Sequence, residues 1–160
     1  MRRLVLILLL AALPAVAADK PKNWGLKVDD KEVLRECGDC HMAFAPALLP
    51  ARSWAKVMDE AATHFGSPVR LDPKVAARIR AYLTARSGDS FSGGYGPIAL
   101  NGLDPQQTPT RITQTPAWLA NHYEGEFPEE FKTDIGSWLN CQGCHKKAAD
   151  GDYFNWEEGQ

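Results

Sequence analysis

A mostly α-helical fold of short helices joined by long loops is what this sequence predicts, and three observations carry the prediction. The chain has 160 residues, a length that suits one domain or two very small ones. Its 11 prolines and 13 glycines interrupt the backbone too often for long regular elements. Where apolar residues recur they do so at helical spacing over short stretches, with Trp54, Val57, Met58, Ala61 and Phe65 the clearest stripe.

Taken in order, residues 1–18 read as a cleaved secretory signal peptide. Arg2 and Arg3 precede an apolar run from Leu4 to Leu13, and Ala15-Val16-Ala17 supplies small residues for cleavage. The run is roughly half the ~20 residues a membrane span needs. Its removal takes two of 18 cations against 20 acids, so the net charge moves from −2 to −4. A mildly acidic chain without a Lys/Arg cluster excludes nucleic acid as a partner class.

Residues 19–86 form a first half. A short helix is expected from Lys31 to Cys40, after which Ala43 to Pro50, with prolines at 46 and 50, breaks it. A second helix is expected from Ser53 to Phe65, ending before Gly66 and carrying His64 near its C-terminus. A third starts after Asp72 with Pro73 in its first turn and runs to about Arg86, with Val75, Ile79, Tyr82 and Leu83 on its apolar face. From 87 to 110 the composition turns to Gly, Pro, Ser, Asn and Gln, which reads as a linker or long loop, or as an ordered excursion of one domain. Residues 111–160 form the second half. Thr115-Pro116 starts a short helix bearing Trp118, Leu119 and His122, and a further helix from about Pro128 to Lys146 presents the last motif.

The chemistry lies in the cysteines. Export normally makes four cysteines read as two disulfides with three possible pairings. Here Cys37-Gly38-Asp39-Cys40-His41 and Cys141-Gln142-Gly143-Cys144-His145 use every cysteine of the chain, and a histidine follows each pair at once. This is the pattern of covalent haem attachment. Two thiols on one turn reach the two vinyl groups along one porphyrin edge, and the next residue falls beneath the iron as its proximal ligand. A four-cysteine zinc site brings its knuckles closer in sequence and has no use for the histidines. A thioredoxin-like pair needs a strand–helix context that this sequence lacks.

His64 and His122 are the remaining histidines. His64 follows His41 by 23 residues and His122 precedes His145 by 23, a mirrored layout that makes both candidates for the sixth position of an iron. Met58 is the rival ligand, though its place in a helical apolar stripe marks it as core-facing. Nearness in sequence favours His64 serving the haem of Cys37 and Cys40, and His122 that of Cys141 and Cys144. Each half is too small to bury an adequate core from side chains alone. The porphyrins therefore complete it, with Trp24, Trp54, Trp118, Trp138 and Trp156 expected around them, and haem-free chain is expected to be largely unfolded.

Two blocks then carry a resemblance. The first runs Glu36-Cys37-Gly38-Asp39-Cys40-His41-Met42-Ala43-Phe44-Ala45-Pro46, continues through Leu48-Leu49-Pro50-Ala51-Arg52-Ser53-Trp54 and reaches His64-Phe65-Gly66. The second runs from Arg111-Ile112-Thr113-Gln114-Thr115-Pro116 through His122 to Cys141, Cys144, His145 and Gly151-Asp152. In these the chain resembles the bacterial dihaem cytochrome c family, small c-type cytochromes with bis-histidine irons. The resemblance implies a periplasmic electron carrier of a Gram-negative bacterium, with axial ligands carried onto His41 and His64 and onto His122 and His145. It also implies redox partners that include a small oxygen-binding c-type haem protein or a membrane-bound b-type cytochrome. The Gly-rich stretch from Gly93 to Leu103 lies outside both blocks.

An iron capped by two imidazoles has no site for substrate, so the expected activity is electron transfer without bond chemistry. Imidazole in place of thioether lowers the potential relative to His/Met haems. The alternative is an enzyme, such as a peroxidase or small-anion reductase, in which one distal histidine is absent or leaves on reduction. The acidic charge, deepened by haem propionates, suits docking to a basic patch.

Overall fold

The computed structural model describes residues 24–90, 93–122 and 133–154, so the expected signal segment, Trp156 and the start of the last expected helix lie outside the described residues. Six short helices lie wholly within the described residues: α1 (Lys31–Cys37), α2 (Ala51–Asp59), α3 (Pro73–Ala85), α4 (Gly96–Ala99), α5 (Pro116–Asn121) and α6 (Cys141–Cys144). Short 3-10 turns stand between them at Pro46–Leu48, His64–Gly66, Ile112–Gln114 and Ala148–Asp150. Among the described residues there is no strand, and no helix is long and apolar enough to cross a membrane.

Polar side chains fix where the first helices begin. Asp30 accepts from the backbone N–H groups of Glu32 and Val33 at 2.9 and 3.0 Å, capping α1. Asp72 caps α3 in the same way, and Pro73 sits in the first turn as expected. α1 stops at Cys37. The next residue is Gly38, where an added Cβ would lie 2.3 Å from the Leu34 carbonyl oxygen, so only glycine lets the chain turn between the two cysteines.

α2 packs on α3, and Arg80 ties the pair by donating to the Ala55 carbonyl at 3.0 Å and pairing with Asp59. Arg78 reaches from α3 to Glu32 on α1, its Nε 2.7 Å from the carboxylate. Between these helices and the loop before α2 lies the larger core: Val28, Val33, Ala43, Leu49, Trp54, Ile79, Tyr82 and Leu83. The Trp54 indole N–H donates to the Pro46 carbonyl at 2.7 Å, so the ring is buried with its one donor satisfied. A smaller cluster joins Leu26, Ala45, Leu48 and Ala99, with Tyr95 and Tyr153 against it.

Two expected helices differ from the structure. The apolar stripe from Trp54 to Phe65 is not one helix: α2 ends at Asp59, and His64 stands on the 3-10 turn that follows. Phe65 there adopts φ 55°, ψ 28°, the left-handed conformation that breaks a helix. The expected helix up to Lys146 is also interrupted. Residues 133–135 are helical, Gly136 turns at φ 70°, and helix resumes only over α6.

Residues 87–110 fold back on the first half. Gly88 N–H donates to the Leu49 carbonyl (2.9 Å), Tyr95 N–H to the Trp24 carbonyl (2.9 Å), and Arg52 Nε to the Gln107 carbonyl (2.6 Å). α4 buries Ala99 in the smaller core. Trp24 is 53% exposed and engages this segment through its backbone.

Candidate functional site

The first CxxCH motif begins on the last residue of α1, and the loop behind it is rigid because Ala43 to Pro50 is almost entirely buried. His41 is oriented from two sides. Its Nδ1–H donates to the Met42 carbonyl at 2.7 Å, and its ring stacks on Phe44 with centroids 4.7 Å apart and planes 17° from parallel. The bond at Nδ1 leaves Nε2 with its lone pair free for a metal.

His64 faces it. The two ring centroids are 6.3 Å apart with planes at 20°. Beside the rings lies a cavity of about 250 Å³ whose mostly apolar wall includes Cys37, Trp54, Met58 and Ile112. Burial lowers the pKa of His64, and the charges of His41 and Arg111 lower it further, so near neutral pH the imidazole is held in its neutral, metal-binding form. The guanidinium of Arg111 lies 4.1 Å over the ring of Phe65 and itself lines the cavity.

The second motif forms α6 and puts His145 at its C-cap. His122 is the C-cap of α5, a helix opened by Thr115, whose Oγ1 accepts from the Trp118 N–H. Nδ1–H of His122 donates to the Trp118 carbonyl at 3.0 Å, and its ring stacks on the Trp118 indole at 4.5 Å and 4°. Trp138 closes against Trp118 edge-on at 5.7 Å. His122 and His145 stand 6.2 Å apart with planes at 71°. Burial, then the His122 charge, lower the pKa of His145, while the backbone of Tyr153 and the charge of Asp152 oppose them. Its Nδ1 is buried without a hydrogen bond of good geometry, which is a further sign of a site built around something larger than the side chains.

Each sequence-derived histidine therefore meets one other, His41 with His64 and His122 with His145. The spacing fits one metal between the rings of each pair: a metal–imidazole bond of about 2 Å, plus about 1 Å from the nitrogen to the ring centre, counted on both sides, comes to about 6 Å. Cys37 lines the first cavity, and burial pushes the thiols of Cys37 and Cys141 up to about 11. No disulfide joins any of the four cysteines. Met58 lines the first cavity. Sequence reasoning missed Arg111 and Tyr153 as neighbours of the rings. Arg111 lies in a motif block, but only the fold shows that it faces the first cavity.

The family model for dihaem cytochrome c matches residues 33–153. No curated protein matches the chain. Among solved structures, a diheme cytochrome c from Rhodobacter sphaeroides is 36% identical, covers 79% of this chain and 98% of its own, and superposes with a TM-score of 0.73. A second structure of the protein purified from Rhodobacter sphaeroides has 33% identity, the same coverages and a TM-score of 0.65. A diheme cytochrome type c from Shewanella baltica has 31% identity over 76% of this chain and 84% of its own, with a TM-score of 0.58. Matched along three quarters of its length and in its short-helix fold, the chain belongs to the dihaem cytochrome c family, electron-transfer proteins with two covalently bound haem c groups.

Proposed function

We propose that Cys37 and Cys40 bind one haem and Cys141 and Cys144 the other, each iron being held by two histidines, and that the protein carries electrons in the periplasm without catalysing a reaction of its own. The observation that carries this reading is the pair of ring spacings, 6.3 Å for His41 and His64 and 6.2 Å for His122 and His145. Bound haem supplies one-electron cycling between ferric and ferrous iron.

The chain's own part is to hold those four imidazoles still. Backbone carbonyls fix His41 and His122, Phe44 and Trp118 stack on them, and burial keeps His64 and His145 neutral. With both faces of an iron occupied by anchored rings, oxidation and reduction proceed with little rearrangement and no position for a substrate. Two imidazoles per iron also place both potentials low among c-type cytochromes. The partners we propose are a membrane b-type cytochrome on one side and a soluble haem protein, such as an oxygen-binding c-type one, on the other.

Electron paramagnetic resonance of the oxidised protein tests the ligation. Two low-spin ferric signals and no high-spin signal are expected, and carbon monoxide should leave the reduced Soret band unchanged. A high-spin resting signal, or rapid stoichiometric carbon monoxide binding, would overturn the reading. His64→Ala and His122→Ala should each open one iron, giving one carbon monoxide per protein with both haems still attached.

A further inference from the structure

The two sites differ in the charge built into their walls. Two ionic side chains, Glu36 and Arg111, line the otherwise mostly apolar first cavity. The Glu36 carboxylate is already paired with Arg35 at 2.7 Å, so its charge is offset locally. Arg111 makes no ion pair among the described residues; it is held in place by the Phe65 ring, 4.1 Å away, and Phe65 adjoins His64. It is only partly exposed, so water screens it incompletely. Among the described residues at the second site, the charge of Asp152 acts on His145, and the exposed Lys146 donates to the Gly143 carbonyl at 2.7 Å.

We propose that Arg111 is the residue that separates the two haem potentials, making the haem of Cys37 and Cys40 the first to accept an electron. The inference rests on the ligation proposed above. With two neutral imidazoles at each iron, the ligands are alike and leave the difference to the surroundings. A fixed cation beside a haem opposes the extra positive charge of ferric iron and favours ferrous. An electron delivered at either end therefore settles at the first site and leaves for a partner from there or by way of the second.

Two measurements on the holoprotein test this. In stepwise reduction followed by proton NMR, the haem methyls with nuclear Overhauser contacts to Phe44 should reach the ferrous state before those in contact with Trp118; the opposite order overturns the proposal. In a spectroelectrochemical titration, Arg111→Gln should lower the higher midpoint alone. The ratio of reduced to oxidised haem at a fixed potential should fall about tenfold there, about 59 mV for one electron. Arg111→Lys, which keeps the charge, should retain most of the separation. Unmoved midpoints, or equal shifts of both, with the low-spin signals intact would sink the role of Arg111 and spare the bis-histidine reading. A high-spin signal in the unaltered protein would sink that reading itself.

Discussion

Around His41 and His64 the chain supplies a helical hairpin, a core of eight buried residues and a walled cavity, whereas around His122 and His145 it supplies a six-residue helix, a four-residue helix and a stack of aromatic rings. The ring spacings come out nearly equal, 6.3 and 6.2 Å, so one geometry is reached from two unlike supports. The first site is a pocket in a protein core, and among the described residues the second has little core of its own. Helices of four and six residues are too short to persist on their own, so they need something to pack against.

The largest consequence concerns folding. Blocking the second attachment with Cys141→Ser and Cys144→Ser should leave residues 133–154 unprotected in hydrogen exchange while α2 and α3 keep slowly exchanging amides. The matching change at Cys37 and Cys40 should loosen the first cavity yet leave α3 partly formed, because Ile79, Tyr82 and Leu83 remain packed against Val28 and Val33. Equal loss of protection in both halves on either change would abolish the distinction.

Next in size is a pair of tryptophan truncations. Trp54 is 6% exposed and its N–H is bound to Pro46, so Trp54→Ala removes a packed ring and leaves a carbonyl unmet, at a cost of about 3–5 kcal/mol. Trp118 stacks on His122 and is less completely buried than Trp54, so Trp118→Ala should cost less global stability and act on the ring it supports. Thermal or denaturant unfolding of the holoprotein measures the first. The second should appear as faster ligand exchange at one iron.

How far the sequence reveals these supports depends on local signals. The two CxxCH motifs, the Asp72-Pro73 start of α3 and the Thr115-Pro116 start of α5 are legible because each needs only neighbouring residues. The end of α2 is not. Thr63 and His64 N–H groups still bond the Glu60 carbonyl at 3.0 and 2.8 Å, so the turns after Asp59 keep a nearly helical spacing of side chains. No Gly or Pro marks the break, and the left-handed residue is Phe65, which a pattern search reads as part of the stripe. Arg111 and Phe44 come to their rings through tertiary contacts across the chain or a stacking choice within a loop, which periodicity does not encode.

A smaller effect is spectroscopic. The imidazole planes lie at 20° in the first pair and 71° in the second. Near-parallel planes split the two iron d orbitals that overlap the rings, and near-perpendicular planes leave them almost degenerate. The oxidised protein should therefore show two distinct low-spin signals, one of ordinary rhombic shape and one with a much larger maximal g value. His122→Ala should remove the second and keep the first. Two identical signals would mean that the sites constrain their rings alike.

The smallest difference is in acid sensitivity, and it comes from the caps. Asp30 opens α1, and the N–H of Val33 bonded to its carboxylate is the main cause holding its pKa below the ordinary 3.8, with burial opposing and Glu32 N–H, Arg78 and Arg86 assisting. A carboxyl whose pKa is lower folded than unfolded contributes stability that is complete above the unfolded value and is lost as the pH falls through the folded one. α5, which leads to the second site, is capped by the hydroxyl of Thr115, and that cap does not titrate. Acidification to pH 4 and below should thus loosen the helix before Cys37 sooner than the helix before His122. Asp30→Asn keeps an acceptor at the cap without the charge, so it should flatten the acid limb of the melting-temperature curve while leaving stability at neutral pH only slightly lower. An acid limb unchanged by that substitution would place the sensitivity in other carboxylates and remove this contrast between the two helices.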